Sequence, residues 1–198
     1  MAKVLVVFRS GYGHTAKLAE AVAKGAGSVE GAEVKMIPFA EVEFHWNDFQ
    51  SADAIIMGAR PTWGVFQPSS KKFMELSSKF WMQQTWKDKI AGGFTNSASF
   101  SVDKLNSLLQ LVVFVGQHSM IWVNTGIPAP SSDYANTGNL NRVGSYLGVM
   151  AQSPASESPD IAAPIGNIET GFAYGKRVAE IAPRVQKLGN VLISDSTL

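Results

Sequence analysis

Residues 3–15, Lys-Val-Leu-Val-Val-Phe-Arg-Ser-Gly-Tyr-Gly-His-Thr, decide how this chain folds. Lys3–Phe8 is an apolar run rich in strand-forming residues, and small turn residues follow it at once. Thr15 then stands where a helix N-cap is expected. An apolar stripe at helical spacing continues until Gly25, Gly27 and Gly31, which we expect to close the helix. A strand, a tight turn and a helix in this order predict half of a βαβ unit.

The rest of the chain repeats this alternation. Further strands are predicted at Glu33–Ile37, Asp53–Met57, Ile90–Phe94 and Met120–Val123, and further helices at Pro68–Phe80, Val102–Gly116 and Ile168–Val185. Alternating strands and helices of this length predict an α/β fold of three layers, in which helices cover both faces of a five-stranded parallel sheet. The strand order 2-1-3-4-5 suits this number of strands. Asn124–Asn167 lacks periodicity, and a connection of that length is expected to carry function.

Length and composition limit the possible functions. A chain of 198 residues fits one domain, and we predict a single domain over 1–198 with a peripheral tail at 185–198. A net charge of +1 offers no broad basic face, so nucleic acid is not an expected partner. Cysteine is absent, so redox chemistry would need a bound cofactor, and we predict no metal site. No apolar run approaches the roughly 20 residues of a membrane span, and we expect a cytoplasmic protein.

Three loops are expected to form the ligand site, because ligands of open α/β sheets bind at the carboxyl ends of the strands where the strand order reverses. The candidate cofactor-binding residues of these loops are Ser10, Gly11, Tyr12, Gly13, His14 and Thr15, then Pro61, Thr62, Trp63 and Gly64, then Thr95, Asn96, Ser97, Ala98 and Ser99. The first loop can surround a phosphate with backbone N–H groups at a helix N-terminus. It lacks the lysine of a nucleoside-triphosphate loop.

Each loop also has a structural interpretation without a ligand. The first could be a glycine turn, the third an ordinary polar turn, and Trp63 could fill a gap between loop and core. As a ligand contact, Trp63 beside Gly64 would offer a ring plane to a flat cofactor such as a flavin. Thr95–Ser99 offers hydroxyl and amide groups without charge.

The three loops together resemble a known family over Met1 to about Val185. Tyr12-Gly13-His14 matches the Tyr-Gly-His of the flavodoxin-like NAD(P)H:quinone oxidoreductases of the tryptophan-repressor-binding-protein (WrbA) type. Trp81 falls at that family's substrate-side tryptophan, and His118 at its site histidine. Residues 60–64, Arg-Pro-Thr-Trp-Gly, replace the family's Pro-Thr-Arg-Phe-Gly.

The resemblance implies a flavodoxin-like fold, non-covalently bound flavin mononucleotide (FMN), and two-electron transfer from NAD(P)H to a quinone. It implies that Tyr12 and Trp81 contact the nicotinamide and the quinone. His118 would contact FMN, where it could stabilise the reduced flavin as a catalytic residue. A one-electron flavodoxin carrier and a flavin-less regulatory or scaffold protein on the same fold remain as alternatives.

Association into a homodimer or a homotetramer is also predicted. Five tryptophans and 11 phenylalanines are many for one open sheet. Several of them cluster in two places, Phe44, Trp46 and Phe49 before strand three, and Phe80, Trp81 and Trp86 after the Pro68 helix. Apolar clusters of this kind are expected on a partner surface.

Overall fold

A parallel sheet with helices on both faces forms the framework of the protein. The computed structural model describes residues 1–62, 65–101, 103–133 and 135–194. The strands are β1 (Ala2–Arg9), β2 (Ala32–Pro38), β3 (Ala54–Ala59), β4 (Pro61–Thr62), β5 (Val65–Phe66), β6 (Ile90–Ser97), β7 (Ile121–Trp122) and β8 (Val149–Gln152). The helices are α1 (His14–Gly27), α2 (Trp46–Ser51), α3 (Pro68–Leu76), α4 (Ser78–Met82), α5 (Lys104–Gln117), α6 (Pro159–Ala162) and α7 (Ile165–Ser194), with a 3₁₀ turn at Val42–Phe44.

The strands of the main sheet are parallel and lie in the order β2-β1-β3-β6, with β7 and β8 sharing the fifth position. The predicted fold and the order 2-1-3-4-5 are therefore confirmed. The short antiparallel pair β4 and β5 forms a hairpin after β3. All strands of the main sheet end at one edge, which we call the carboxyl edge, and begin at the opposite amino edge.

Two separate stretches of chain make up the fifth position. β7 pairs with the start of β6, at Ile90↔Ile121, and β8 pairs with its end, from Phe94↔Val149 to Ser97↔Gln152. The region without sequence periodicity, 124–167, thus contains β8, α6 and the first turn of α7. Burial alternates along β8, but its sequence, Val-Met-Ala-Gln, does not alternate apolar and polar residues, so pairing with β6 rather than local sequence defines β8.

The helices form two layers, each with its own core. α1 and α7 pack on one face over a core that includes Val4, Ile56 and Val178. The opposite face buries a second core with Leu5, Met57 and Leu111. Successive side chains of the central strands β1 and β3 point to opposite faces of the sheet. Both strands therefore contribute side chains to both cores.

Most of the clustered aromatic side chains are internal. Phe49, Phe80 and Trp86 are buried, and Trp46 packs against them, so together with Phe73 they form one aromatic cluster in the second core. The expectation that these rings form a partner surface is wrong for these side chains. They pack inside because α2, α3, α4 and the turn after α4 place them over the sheet.

Phe44 and Trp81 are the exceptions among the predicted aromatic clusters. Their exposed fractions are 85% and 48%. Any partner surface would therefore have to be built from other residues than the internal aromatic cluster.

Several helix boundaries differ from those predicted. α1 runs through Gly25 to Gly27, so Gly25 does not end the helix. The helix predicted at Pro68–Phe80 is broken at Ser77, whose Oγ donates to the carbonyl of Met74 at 2.7 Å. α7 extends beyond Val185 to Ser194 and includes Pro183. In the described ranges, no helix is long and apolar enough to cross a membrane.

Candidate functional site

The loops after β1, β3 and β6 meet at the carboxyl edge around a cavity of about 140 Å³. We call these residues the loop cluster. The cavity is lined by Ser10, Gly11, Tyr12, His14, Thr15, Arg60, Pro61, Asn96, Ser97, Ala98, Ser153 and Ala155. The structure therefore brings together residues from all three loops singled out in the sequence. Arg60, Ser153 and Ala155 were missed.

The turn into α1 leaves backbone donors open toward the cavity. Gly13 precedes the helix with φ near 90°, a conformation that side chains disfavour, and a Cβ there would lie 2.6 Å from Cγ of Pro159. Within the described chain, no side chain caps α1 by a hydrogen bond. Thr15 is therefore not the N-cap predicted from the sequence, and it lies buried in the first helical turn. The first N–H groups of α1 are available to an anion.

Two polar atoms at the loop cluster are buried without a partner among the described residues, Ser10 Oγ and Arg60 Nε. A buried hydroxyl without a hydrogen bond costs about 1–3 kcal/mol, so such atoms in a native site indicate a missing ligand or water. The Arg60 guanidinium lies 5.4 Å from the centroid of the Tyr12 ring. Arg60 could have been found in the sequence, because it belongs to the second loop, which follows the predicted strand Asp53–Met57.

The segment after β8 closes one side of the cavity. His14 Nε2 donates to the carbonyl oxygen of Glu157 at 3.0 Å, which ties the first loop to this segment. Lys17 forms an ion pair with Asp160 at 2.7 Å nearby. His14 thus has a structural partner and also lines the cavity. No local pattern in residues 153–160 could have indicated this position, since it depends on β8.

The third loop contributes fewer free hydroxyl groups than expected. Thr95 is fully buried, and its Oγ1 donates to the carbonyl of Ala59 at 2.8 Å. This bond ties β6 to β3, so the Thr95 hydroxyl has a structural partner and its proton is not free for a ligand. Asn96 Oδ1 accepts from Ser153 Oγ at 3.1 Å and lies at the cavity wall. Ser99 does not line the cavity, and its carbonyl accepts hydrogen bonds from Ser97 Oγ and Lys104 Nζ.

The remaining predicted residues of the second loop are only partly described. Thr62 lies in β4 and accepts a long hydrogen bond from Gln67 Nε2 at 3.4 Å. Trp63 and Gly64, the predicted stacking pair, lie outside the described residues.

His118 lies away from the loop cluster of its own chain. α5 runs back from the carboxyl edge, and His118 follows its last residue, close to the start of β7 at the amino edge. The ring stacks on Trp86, with centroids 4.5 Å apart, and Nε2 donates to Ser77 Oγ at 3.1 Å. Within a single chain, His118 therefore does not reach the predicted flavin site, because α5, which runs antiparallel to the strands, separates it from the loop cluster.

Burial controls the charge of His118. Its side chain is 3% exposed, and burial lowers its pKa to about 4. At neutral pH the imidazole is uncharged, with its proton on Nε2. Nδ1 has no partner within the described chain. Trp81 lies in α4 near His118 and shares a groove with it, so it too is remote from the loop cluster.

Comparison with known proteins places the chain in a family. The Flavodoxin family profile matches residues 6–104. A flavodoxin, FldP, from Pseudomonas aeruginosa is 37% identical over 93% of this chain and 99% of its own length. The chain belongs to the flavodoxin family.

Further relatives of this flavodoxin-family chain confirm the resemblance to the WrbA type. A protein of Archaeoglobus fulgidus named NAD(P)H dehydrogenase (quinone) is 30% identical over 93% of this chain and 100% of its own. The crystal structure of a WrbA-like flavodoxin from Agrobacterium tumefaciens is 39% identical, with a TM-score of 0.72 over 93% of this chain and 99% of that one.

Several larger grooves of this flavodoxin-family protein lie outside the loop cluster, and two of them exceed 600 Å³. One, of about 620 Å³, runs between α3, α4 and α5, and the other, of about 680 Å³, between α1, α6 and α7. The loop-cluster cavity is also smaller than the roughly 300–1,000 Å³ of a site that encloses a whole ligand. It nevertheless has the convergent polar groups that a cofactor needs, and its size suits one end of an elongated ligand.

Proposed function

We propose that the protein binds FMN at the loop cluster and transfers two electrons from NAD(P)H to quinones. The observation that carries this proposal is Ser10 Oγ, which is buried without a described partner beside the uncapped start of α1. A phosphate oxygen would satisfy both the hydroxyl and the open N–H groups. Relatives that carry oxidoreductase names support the same assignment.

The residues of the loop cluster fit the two ends of FMN. The cavity of about 140 Å³ at Ser10 and Thr15 would hold the phosphate and part of the ribityl chain. Asn96, Ala98 and Arg60, at the same cavity, would hold the polar edge of the ring. The group supplies a ring that accepts hydride from a nicotinamide and then passes two electrons to an acceptor.

The residues at the surface of the site position the substrates. Tyr12 is 72% exposed and offers a ring face for a flat nicotinamide or quinone. Arg60 stabilises negative charge at the ring edge and orients Tyr12 through their contact. His14 fixes the first loop to the segment after β8, which limits access of water to the reacting groups.

A one-electron carrier is the second candidate. It is favoured by the name flavodoxin of the Pseudomonas aeruginosa relative. The net charge of +1 argues against it, since the flavodoxins that exchange single electrons with partner proteins are expected to present acidic surfaces.

Absorption spectra and anaerobic rapid mixing separate these functions. We expect the FMN-reconstituted protein to be yellow, to bleach within seconds when mixed with NADH or NADPH, and to recover when a quinone is added. Free FMN at the same concentration is the control for direct reduction.

Other outcomes would favour the alternatives. A flavin that resists NADH and NADPH, but accumulates a one-electron reduced form with dithionite, would support the carrier. Failure to bind FMN would overturn both redox functions and leave the scaffold interpretation.

A further inference from the structure

A buried lysine lies directly behind the third loop of the cluster. Lys104, the first residue of α5, is 0% exposed. A positive charge at a helix N-terminus is unfavourable, and removing an ammonium group from water costs several kcal/mol. Burial lowers the pKa of Lys104 to about 8, despite the nearby carboxylate of Asp103. The stability of α5 alone does not explain a lysine at this position.

The Lys104 ammonium connects the third loop to β8. Nζ donates to the carbonyl oxygen of Ser99 at 2.5 Å and to that of Ala151 at 3.1 Å. β8 in turn pairs with the end of β6, where the loop begins. Lys104 therefore fixes the loop to the strand that completes the carboxyl edge.

Three consecutive carbonyl groups of the loop are held in the same way. The carbonyl of Ser97 accepts from the backbone N–H of Ser153 at 3.0 Å, and that of Ala98 accepts from Gln152 Nε2 at 3.0 Å. The carbonyl of Ser99 accepts from Lys104. All three donors belong to β8, to the residue after it, or to the start of α5.

Arg142, which lies between β7 and β8, supports this arrangement. Its guanidinium donates to Gln152 Oε1 at 3.2 Å and lies 5.0 Å from the centroid of the Phe100 ring. The Gln152 amide is thereby fixed with its Nε2 toward Ala98.

Each of these three peptide units has the N–H group of the next residue on the side opposite to its carbonyl. In a planar trans peptide, the N–H of the next residue points away from the carbonyl. The N–H groups of Ala98, Ser99 and Phe100 therefore point away from Lys104 and Gln152, and they have no acceptor within the described part of the chain. Consecutive free N–H groups form a binding site for an electron-rich or anionic group. Ser97 and Ala98 line the cavity on this loop.

We propose that Lys104 is a positioning residue for the flavin. By holding the Ser99 carbonyl and the carbonyl of Ala151 in β8, it fixes the loop so that its N–H groups, beginning with that of Ala98 at the cavity, face the polar edge of the FMN ring. This inference rests on the proposed binding of FMN at the loop cluster. Lys104 acts through the loop and does not touch the ring itself. Because charge on that ring edge grows on reduction, the oriented N–H groups bind reduced FMN more tightly than oxidised FMN.

The test is Lys104→Met, with Lys89→Met as the matched control. Lys89 Nζ also donates to two backbone carbonyls, of Gln50 at 2.8 Å and of Ala52 at 2.5 Å, but at the amino edge. Both substitutions therefore remove the same kind of bond. The measurements are the Kd of oxidised FMN for the apoprotein, the two-electron midpoint potential, and the free energy of unfolding in urea.

We expect Lys104→Met to weaken the binding of oxidised FMN about tenfold and that of reduced FMN about tenfold more, because the loop N–H groups are no longer held in place and the effect of about one hydrogen bond to the ligand is lost. A tenfold difference between the two forms lowers a two-electron potential by about 30 mV. Lys89→Met should leave the Kd and the potential unchanged, although it lowers the free energy of unfolding. Lys104→Arg should restore part of both effects if it reaches Ser99.

A second variant covers the case in which Lys104→Met does not fold. Gln152→Leu removes the donor to Ala98 without a buried charge, and it should lower affinity and potential in the same direction. Parent-like values in both variants, or an equal shift in Lys89→Met, would overturn the inference. Failure of the parent protein to bind FMN would overturn the proposed function as well, so the two failures are distinguishable.

Discussion

At the scale of single residues, Ser10 is the most direct test of the phosphate site. Its Oγ is buried without a described partner, so the Ser10→Ala apoprotein should be as stable as the parent or slightly more stable. FMN should bind it tenfold or more weakly, since a charge-assisted bond contributes about 1.5–3 kcal/mol.

Fluorescence titration of the apoprotein with FMN measures this difference. Ser28→Ala, at the other end of α1, is the control, because Ser28 Oγ donates to the carbonyl of Gly25 far from the loop cluster. Equal FMN affinity of parent and Ser10→Ala would remove Ser10 from the site.

His118 should make the stability of the apoprotein depend on pH. Its pKa is about 4 in the folded protein, against a usual value of 6.5, so the unfolded chain takes up the proton first as the pH falls. Stability is then lost between about pH 6.5 and pH 4, at up to about 1.4 kcal/mol per pH unit. Urea unfolding of His118→Gln should lack this contribution. Parallel pH curves for parent and variant would refute it.

The positions of site residues could be predicted from the sequence where they depend only on the order of the strands. Ser10 directly follows β1 and Asn96 lies at the end of β6, so strand order alone brings them to one edge. The structural partner of the Thr95 hydroxyl could not be predicted, because Ala59 lies on a neighbouring strand. His118 follows the last residue of α5, so its position depends on the direction of that helix. Matching single residues to a family motif gives no information on helix direction.

At the scale of elements, the contact between α1 and α7 depends on glycine. A Cβ at Gly25 would lie 1.8 Å from the carbonyl oxygen of Phe172, and one at Gly175 would lie 1.9 Å from that of Val22. The two backbones therefore approach more closely than side chains permit. Gly25→Ala should lower the free energy of unfolding by about 1–3 kcal/mol or more, as overpacking does.

Gly116→Ala is the matched control, because Gly116 lies near the end of α5 with nothing within 4 Å of an added Cβ. There alanine should be neutral or stabilising by up to about 1 kcal/mol. Urea unfolding of the two apoproteins checks the pair, and a Gly25→Ala variant as stable as Gly116→Ala would contradict the close contact.

The same contact explains why α1 continues past Gly25 and ends at Gly27, another of the glycines predicted to close it. Glycine weakens a helix by its propensity and therefore predicts a boundary, but at Gly25 packing against α7 outweighs this cost. Long elements with strong patterns, such as β1 and β3, were predicted correctly. β8 was not, since its identity depends on a pairing with β6 that is distant in sequence.

At the scale of the whole molecule, an apolar stripe on α5 leads us to predict a homodimer or a homotetramer. Leu105, Leu109 and Val113 recur every four residues on the outer side of α5, with exposed fractions of 51%, 45% and 63%. Trp81 lies across the adjacent groove. A contiguous apolar surface of this kind is typical of an interface between chains.

Light scattering during size exclusion at low micromolar concentration measures the assembly. The parent should elute at a multiple of 21.3 kDa, and Val113→Glu should shift it toward the monomer. Leu140→Glu is the control, because Leu140 is exposed at a position outside α5. A parent that is monomeric and active would refute the prediction.

Because β7 and β8 share the fifth position of the sheet, binding of FMN should also affect local opening of β8. Of the β6 residues, Thr95–Ser97 pair with β8 and not with β3, so β8 can open while β1, β2 and β3 stay paired. Such an opening would expose the loop cluster, and bound FMN would therefore oppose the opening. At 100 times its Kd, FMN should slow amide hydrogen exchange in Val149–Gln152 by roughly 100-fold, or about 2.7 kcal/mol, wherever opening is local. β2, at the far side of the sheet, should show a smaller change.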